Sequence, residues 1–363
     1  MSHRKLPLQR WAAFSLAAGV LVALVAPARA SIITNGVLTP MITAGAPPDS
    51  PAARVDPNTP ASPFSGVVSI NTRMNGESYI CSGTLVGRRT VITAGHCVDA
   101  DGRGTVVDIE QPGTDVRVVF NSRGSANALI TAARVDINPH YQGFGPCPPG
   151  VDSFCVNDDV AVITLAADAP ASARLYKVAV NPLASGTRIV MAGYGTSGDG
   201  INGYTVAPSF RVKRRGENMV DLFDLDDEQG FVGGKREVWY ADFDGAGQDA
   251  FCDFLDPAIR VCSPQLPNKR EAGIGGGDSG GPSFVYLYGQ WMLAANNTFS
   301  GTFPGQVEGT FGTYFGGIVL GSYTDFLIRT AGPDLALVPE PGGVALFGLA
   351  LLALGATRRR WQR

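Results

Sequence analysis

Gly275-Gly276-Gly277-Asp278-Ser279-Gly280-Gly281-Pro282 sets a single serine among glycines. Glycine lets a backbone turn sharply, and such a turn leaves the amides of Gly277 and Ser279 free to point together at a developing oxyanion. The same residues would also make a plain flexible turn; the Asp-Ser-Gly-Gly-Pro continuation favours the chemical reading. A serine hydroxyl is a poor nucleophile unless a base takes its proton and a third group orients that base. The chain has three histidines, His3, His96 and His140, and His3 lies in an N-terminal export segment. The candidate bases are therefore His96 and His140. His96 stands in Thr93-Ala94-Gly95-His96-Cys97, directly after the apolar Thr90-Val91-Ile92, where a strand end can present the ring to a cleft. A histidine packed beside a disulfide would have the same neighbours. His140, in Asn138-Pro139-His140-Tyr141, sits in a turn and reads as structural or exposed.

Around these two stretches the 363-residue chain is 45% hydrophobic and 17% charged, enough to bury one or two substantial cores. A net charge of -3 excludes a basic nucleic-acid-binding surface. With 46 glycines, 25 prolines and few long amphipathic patterns, the body is expected to be loop-rich and β-dominated. Short β-branched runs at 66–71, 79–86, 90–94, 116–120, 160–165 and 188–192 suggest a barrel or sandwich. A second group follows at 237–243, 283–287, 291–296 and 314–319, with one terminal helix over 322–330. The acidic stretch 221–228 reads as a solvated loop. In 242–249 acids alternate near glycines, as they do in calcium loops, but a strand end followed by a turn is the preferred reading. No metal or cofactor is expected.

Residues 1–30 read as a signal peptide: Arg4, Lys5 and Arg10 precede an apolar run over 11–26, and Ala28-Arg29-Ala30 supplies small residues for cleavage. A retained N-terminal anchor is the alternative. Export makes the six cysteines, Cys81, Cys97, Cys147, Cys155, Cys252 and Cys262, an even set readable as disulfides. Residues 31–62, rich in Pro, Ala, Thr and Ser, read as an extended leader or propeptide in which no core is expected.

Ala94-Gly95-His96-Cys97 and Gly277-Asp278-Ser279-Gly280-Gly281-Pro282 resemble the base and nucleophile motifs of the trypsin/chymotrypsin family of serine peptidases. Between them Asp159-Val160-Ala161-Val162 fits the frame that holds that family's orienting acid, with Asp158 one residue too early. The chain order His, Asp, Ser is that of the family. Cys81-Ser82-Gly83-Thr84-Leu85 and Ala192-Gly193-Tyr194-Gly195 extend the resemblance, which covers about 63–330. It implies an all-β trypsin-like serine protease fold: two antiparallel six-stranded β-barrels over about 63–182 and 183–330, with a short C-terminal helix. It also implies His96, Asp159 and Ser279 as a catalytic triad, an oxyanion hole from the amides of Gly277 and Ser279, and a Cys81–Cys97 disulfide. The other cysteines are expected to pair locally, Cys147 with Cys155 and Cys252 with Cys262. The implied activity is hydrolysis of peptide bonds in protein or peptide substrates through an acyl-enzyme.

Two departures stand out. The family's zymogens free an amino group that pairs with the aspartate before the nucleophile, here Asp278. Arg54-Val55-Asp56-Pro57 offers a basic cleavage site but lacks the usual glycines, so without an amine Asp278 must be stabilised otherwise. Trypsins carry an acid six residues before the nucleophile; the matching substrate-binding position here is Gly273, which argues for a neutral pocket, with Glu271 nearby.

After a linker over 331–337, residues 338–363 resemble the PEP-CTERM sorting signal: Pro339-Glu340-Pro341, an apolar run over 342–356 that reads as a short transmembrane helix, then Arg358-Arg359-Arg360, a plain membrane anchor being the alternative. That resemblance implies export by a Gram-negative bacterium to the envelope, surface or medium. It also implies membrane contact through the tail, with signal peptidase and an exosortase-type membrane enzyme as maturation partners. The rival readings are a catalytically silent binding protein on the same scaffold and a structural component of the extracellular matrix.

Overall fold

Alternation of β-branched and small residues in Val67–Met74 and Glu77–Gly87 produces a hairpin whose inward side chains, Val68, Ile70 and Leu85 among them, are fully buried. The structure, a computed structural model, describes residues 31–32, 42–122, 125–145, 147, 155–258 and 260–339. The expected signal peptide, 1–30, and nearly all of the expected sorting signal, including the apolar run 342–356, lie outside them. Among the described residues no helix is long and apolar enough to cross a membrane.

The first half is a closed antiparallel barrel. Its strands run in the order Glu77–Gly87, Val67–Met74, Asp115–Ser122, Ser125–Ile137, Ala161–Leu165 and Thr90–Thr93, and the last pairs back onto the first. Closure leaves little free edge, the outer side of Glu77–Gly87 at Tyr79 and Ile80 being paired by Ser31–Ile32, and packs Val68, Ile70, Leu85, Val91, Val118 and Ile163 in the interior. Ser125–Ile137 was not expected from the sequence, because its alanines and polar residues carry little β-propensity. It forms since strands on both sides offer backbone ladders, each interrupted by one register shift.

In the second half, Lys213–Met219, Arg188–Gly193, Pro282–Leu287 and Gln290–Asn296 form one sheet, and Leu222–Leu225, Arg236–Asp242, Tyr314–Ile318 and Phe299–Gly301 another. One seam between them is carried by an Ala295–Val319 bridge and by the Ile318 N–H donating to Asn296 Oδ1 at 3.0 Å. At the other, the Asp221 N–H donates to Tyr240 O at 2.8 Å and Asn218 Nδ2 to Asp242 O at 2.8 Å. Each seam thus combines a single backbone contact with a bond made by an asparagine side chain, and the second half is two sheets stitched at two seams. Met191, Trp239, Phe243, Met292 and Phe315 fill the space between.

A third cluster, with Ile80, Val160, Tyr194, Phe284 and Leu327, draws on both halves and packs them together. The expected terminal helix is Thr324–Ala331; it buries Phe326 and Leu327, and its Thr330 carbonyl accepts from Arg134 Nη2 of the first barrel at 2.9 Å.

The segment before residue 63 corrects one expectation, for it does contribute to the core. Ile42 and Ala44 are fully buried, and Ile42 packs in the second-half cluster. Strand Val55–Asp56 adds to the sheet edge at Lys213 and Arg214. The acidic stretch 221–228 also departs from a plain solvated loop: Leu222–Leu225 is a strand paired with Arg236–Asp242.

Candidate active site

The pairing of Thr90–Thr93 with Ala161–Leu165 matches Thr93 to Ala161 and Ile92 to Val162. In that antiparallel register, residues just after Thr93 and just before Ala161 emerge at the same end of the barrel. A short 3-10 turn, Gly95–Val98, carries His96 there, and Asp159 meets it. His96 Nδ1 lies 2.7 Å from Asp159 Oδ2, and the His96 backbone N–H donates to Asp159 Oδ1 at 2.7 Å. Both carboxylate oxygens are therefore engaged by one residue. The His96 side chain is 6% exposed and that of Asp159 is 0%. Gly95 makes room for this contact, since a Cβ there would come within 3.1 Å of Asp159 Oδ1. Asp158, the rival acid, is turned away: it has φ +65°, and its Oδ1 accepts from Asn138 Nδ2 at 2.9 Å. Burial, with Glu228, Glu237 and Asp227 adding their charge, pushes its carboxyl up to about 8.

The Gly275–Pro282 turn reaches the same place from the other half. Ser82, on the barrel strand beside Cys81, donates its N–H to Ser279 O at 2.8 Å and its hydroxyl to Gly277 O at 2.9 Å. Gly280, at φ +74°, permits an approach that a side chain would block: a Cβ there would meet Thr93 Oγ1 at 2.0 Å and the Ala94 nitrogen at 2.6 Å. Gly277 has φ +99°. Among the described residues, the N–H groups of Gly277 and Ser279 find no acceptor, which leaves both available to a ligand oxygen.

The serine and imidazole are neighbours through a disulfide. Cys97 Sγ lies 3.9 Å from His96 Nε2 and 3.6 Å from the Ser279 carbonyl oxygen. The structure contains no hydrogen bond between the Ser279 hydroxyl and His96, a bond that is often long or unformed before substrate arrives. His140 bonds Glu228 at the surface, with its side chain 59% exposed, far from this arrangement in role.

Asp278 is 0% exposed, and among the described residues no amino group bonds it. Its Oδ1 accepts from the Gly195 N–H at 2.7 Å and its Oδ2 from the Gly275 N–H at 3.1 Å. Burial pushes its carboxyl up to about 7, while those two amides and the charge of Arg214 pull it back. The bond before Val55 is poorly placed for cleavage. Arg54, 5% exposed, bonds Asp49 through Nε at 2.9 Å and Nη2 at 2.5 Å. It also donates to the carbonyls of Arg270, Asn268 and Glu271.

Gly273 faces aromatic surface: a Cβ on it would lie 3.4 Å from the Phe243 ring. Glu271 is 1% exposed, and its Oε2 accepts from the Leu266 N–H at 2.9 Å. The disulfides are Cys81–Cys97, Cys147–Cys155 and Cys252–Cys262.

Three supporting residues were not singled out from the sequence. Ser82 was visible only as part of the Cys81-Ser82-Gly83 match. Asn296 donates Nδ2 to the carbonyl of Asp159 at 3.1 Å and to that of Thr93 at 3.4 Å. The Phe144 ring packs against the imidazole with centroids 4.9 Å apart. Nothing local to Asn296 or Phe144 in the sequence signals these roles.

The fold is the trypsin-like one: mostly strand, with a closed six-stranded barrel, further sheets and a short C-terminal helix. The model of the Trypsin family matches residues 54–209, a span that contains the first barrel, His96 and Asp159 and stops short of Ser279. No curated protein matches the chain.

Proposed function

We propose that the protein is an exported serine endopeptidase in which His96, Asp159 and Ser279 act together on peptide bonds. His96 Nε2 takes the Ser279 proton as Oγ attacks the scissile carbonyl, while Asp159 holds the proton on Nδ1 and stabilises the imidazolium. The tetrahedral oxyanion is received by the N–H groups of Gly277 and Ser279, each such donor being worth about 3 kcal/mol in the transition state. Collapse breaks the C–N bond, His96 returns its proton to the leaving amine, and water repeats the cycle on the acyl-enzyme.

The observation that carries this reading is the pair of 2.7 Å contacts between His96 and a fully buried Asp159, beside a glycine turn whose two amides lack acceptors. Gly273 against Phe243 supports a neutral, apolar preference for the residue before the cut. The three disulfides fit an oxidising compartment, and the N- and C-terminal segments fit export followed by sorting through an exosortase-type enzyme.

The test is labelling of the purified full chain with a fluorophosphonate, together with cleavage of denatured casein. Wild type is expected to label and cleave, and Ser279→Ala to do neither. An unlabelled, inactive wild type that is folded by circular dichroism would instead favour a silent scaffold.

A further inference from the structure

The segment leaving strand Arg236–Asp242 gathers acids that the peptidase reading does not use. Asp242, Asp244 and Asp249 each place one carboxylate oxygen within 4.8 Å of the other two. Asp242 ends the strand and Asp244 follows two residues on, past the fully buried Phe243. The Gly245–Gln248 turn, closed by bonds of 3.1 and 2.9 Å between those two residues, folds Asp249 back onto them. Calcium holds its oxygen ligands at about 2.4 Å, so two ligands of one ion lie no more than about 4.8 Å apart.

Two of the three acids have protein donors. Asp242 Oδ2 accepts from the Phe251 N–H at 2.8 Å and Asp249 Oδ1 from the Cys252 N–H at 2.8 Å. Asp244 is only 5% exposed, yet its Oδ1 has no hydrogen-bond partner. A carboxylate buried in that condition is expensive unless a cation or a proton neutralises it. The surroundings deepen the deficit. Among the described residues, the charged side chains that act on Asp244, namely Asp242, Asp249, Glu271 and Asp253, are all acidic. Asp221 lies against the group as well, accepting the Asp242 N–H at 3.3 Å. Arg54 acts on Glu271, but its own guanidinium is committed to Asp49.

We propose that Asp242, Asp244 and Asp249 form a calcium site that ties the end of strand Arg236–Asp242 to the following turn. An all-oxygen donor set selects a hard cation. Three clustered carboxylates on a glycine-containing turn suit the adaptable coordination of Ca²⁺ better than the strict octahedron of Mg²⁺, which keeps most of its waters. Because Phe243 packs against Gly273, the ion braces the segment that leads to the Gly275–Pro282 turn. The site stands on its own geometry and does not depend on the proposed peptidase activity.

The experiment uses the full chain stripped with EDTA at pH 7.5, titrated with CaCl2 or MgCl2, and followed by calorimetry and thermal melting. Saturating calcium at roughly a hundred times Kd is expected to raise Tm by about 5 °C or more, and magnesium by clearly less. Asp244→Asn is expected to weaken calcium binding at least about tenfold while leaving the metal-free protein about as stable as wild type, because asparagine keeps the shape of a buried carboxyl whose Oδ1 has no donor to lose. Asp249→Asn, at a more exposed position, is expected to weaken binding without risk to folding, and decides the matter alone should Asp244→Asn not fold. The proposal is overturned if wild type shows neither heat nor a Tm shift with 10 mM CaCl2 (about a hundredfold excess over a Kd of about 0.1 mM), or if the folded variants bind calcium as wild type does.

Discussion

Asp159→Asn is the sharpest probe of the proposed mechanism, because the carboxylate serves two donors at once. Its Oδ1 accepts the His96 backbone N–H and its Oδ2 faces Nδ1, each at 2.7 Å. An asparagine has one acceptor oxygen and one NH2. The backbone N–H can only donate, so the oxygen must remain on that side and the NH2 must face Nδ1. The ring then adopts the tautomer with Nδ1 as acceptor and the proton on Nε2, where it can no longer take a proton from Ser279. A wrong-tautomer variant of this kind is expected to lose about 10⁴ in kcat, equivalent to about 5.4 kcal/mol at about 1.36 kcal/mol per tenfold. Fold stability should fall by only about 1–3 kcal/mol, the cost of one compromised buried hydrogen bond. The assay is kcat and kcat/KM on a chromogenic peptide across pH 6–10 (a range spanning roughly the ordinary imidazole and phenol pKa values), with urea unfolding of the same samples. A folded Asp159→Asn protein within about tenfold of wild-type kcat would refute the reasoning, as would an equal loss in Asp158→Asn, whose carboxylate bonds Asn138 instead.

Gly277→Ala forces a side chain onto φ +99° with its Cβ 2.9 Å from Gly195 Cα; a loss of about 1–3 kcal/mol in urea unfolding and of about a hundredfold in kcat is expected, and unchanged kcat would contradict the oxyanion role. Lys213 is fully buried, donating to the Phe64 carbonyl and lying 3.5 Å from Asp56 Oδ1, so Asp56→Ala strands an ammonium and should cost about 3–5 kcal/mol; a change below about 1 kcal/mol would show that the arm is not anchored there. Burial raises Asp278 to about 7, Asp158 and Glu271 to about 8 and Asp244 to about 9. The folded chain therefore keeps protons that the unfolded chain releases near pH 4, and stability declines as pH rises through that window to about 9. In EDTA, Tm should be higher at about pH 5.5 than at about pH 8.5; a flat or rising Tm would contradict the burial of these acids.

Much of the site could be read in advance because its chemistry is written in short contiguous stretches. The glycines around Ser279 and the motif around His96 need no long-range information to be noticed. The strands with alternating β-branched residues were found close to their observed limits, Thr90–Thr93 and Pro282–Leu287 among them. Lys213–Met219 escaped because Lys213, Arg214 and Arg215 describe a solvated loop until the arm supplies Asp56 and carbonyl oxygens to bury against. The alanine-rich Ser125–Ile137 escaped for a similar reason, its strand character being conferred by neighbours.

The amino-acid sequence alone settled which residue types could do acyl-transfer chemistry and that the β-branched runs would be strands, since both depend on side-chain chemistry and near-neighbour spacing. Tertiary structure decided what depends on distant partners. It chose the acid that meets His96 by turning Asp158 aside, brought Ser82 across 195 residues of chain to hold Gly277, and supplied backbone amides to Asp278 in place of the amine that the family's zymogens free. It also left Asp244 buried among other acids without a donor. A buried polar group must find its partner wherever the chain packing puts one, and local sequence carries no record of that choice.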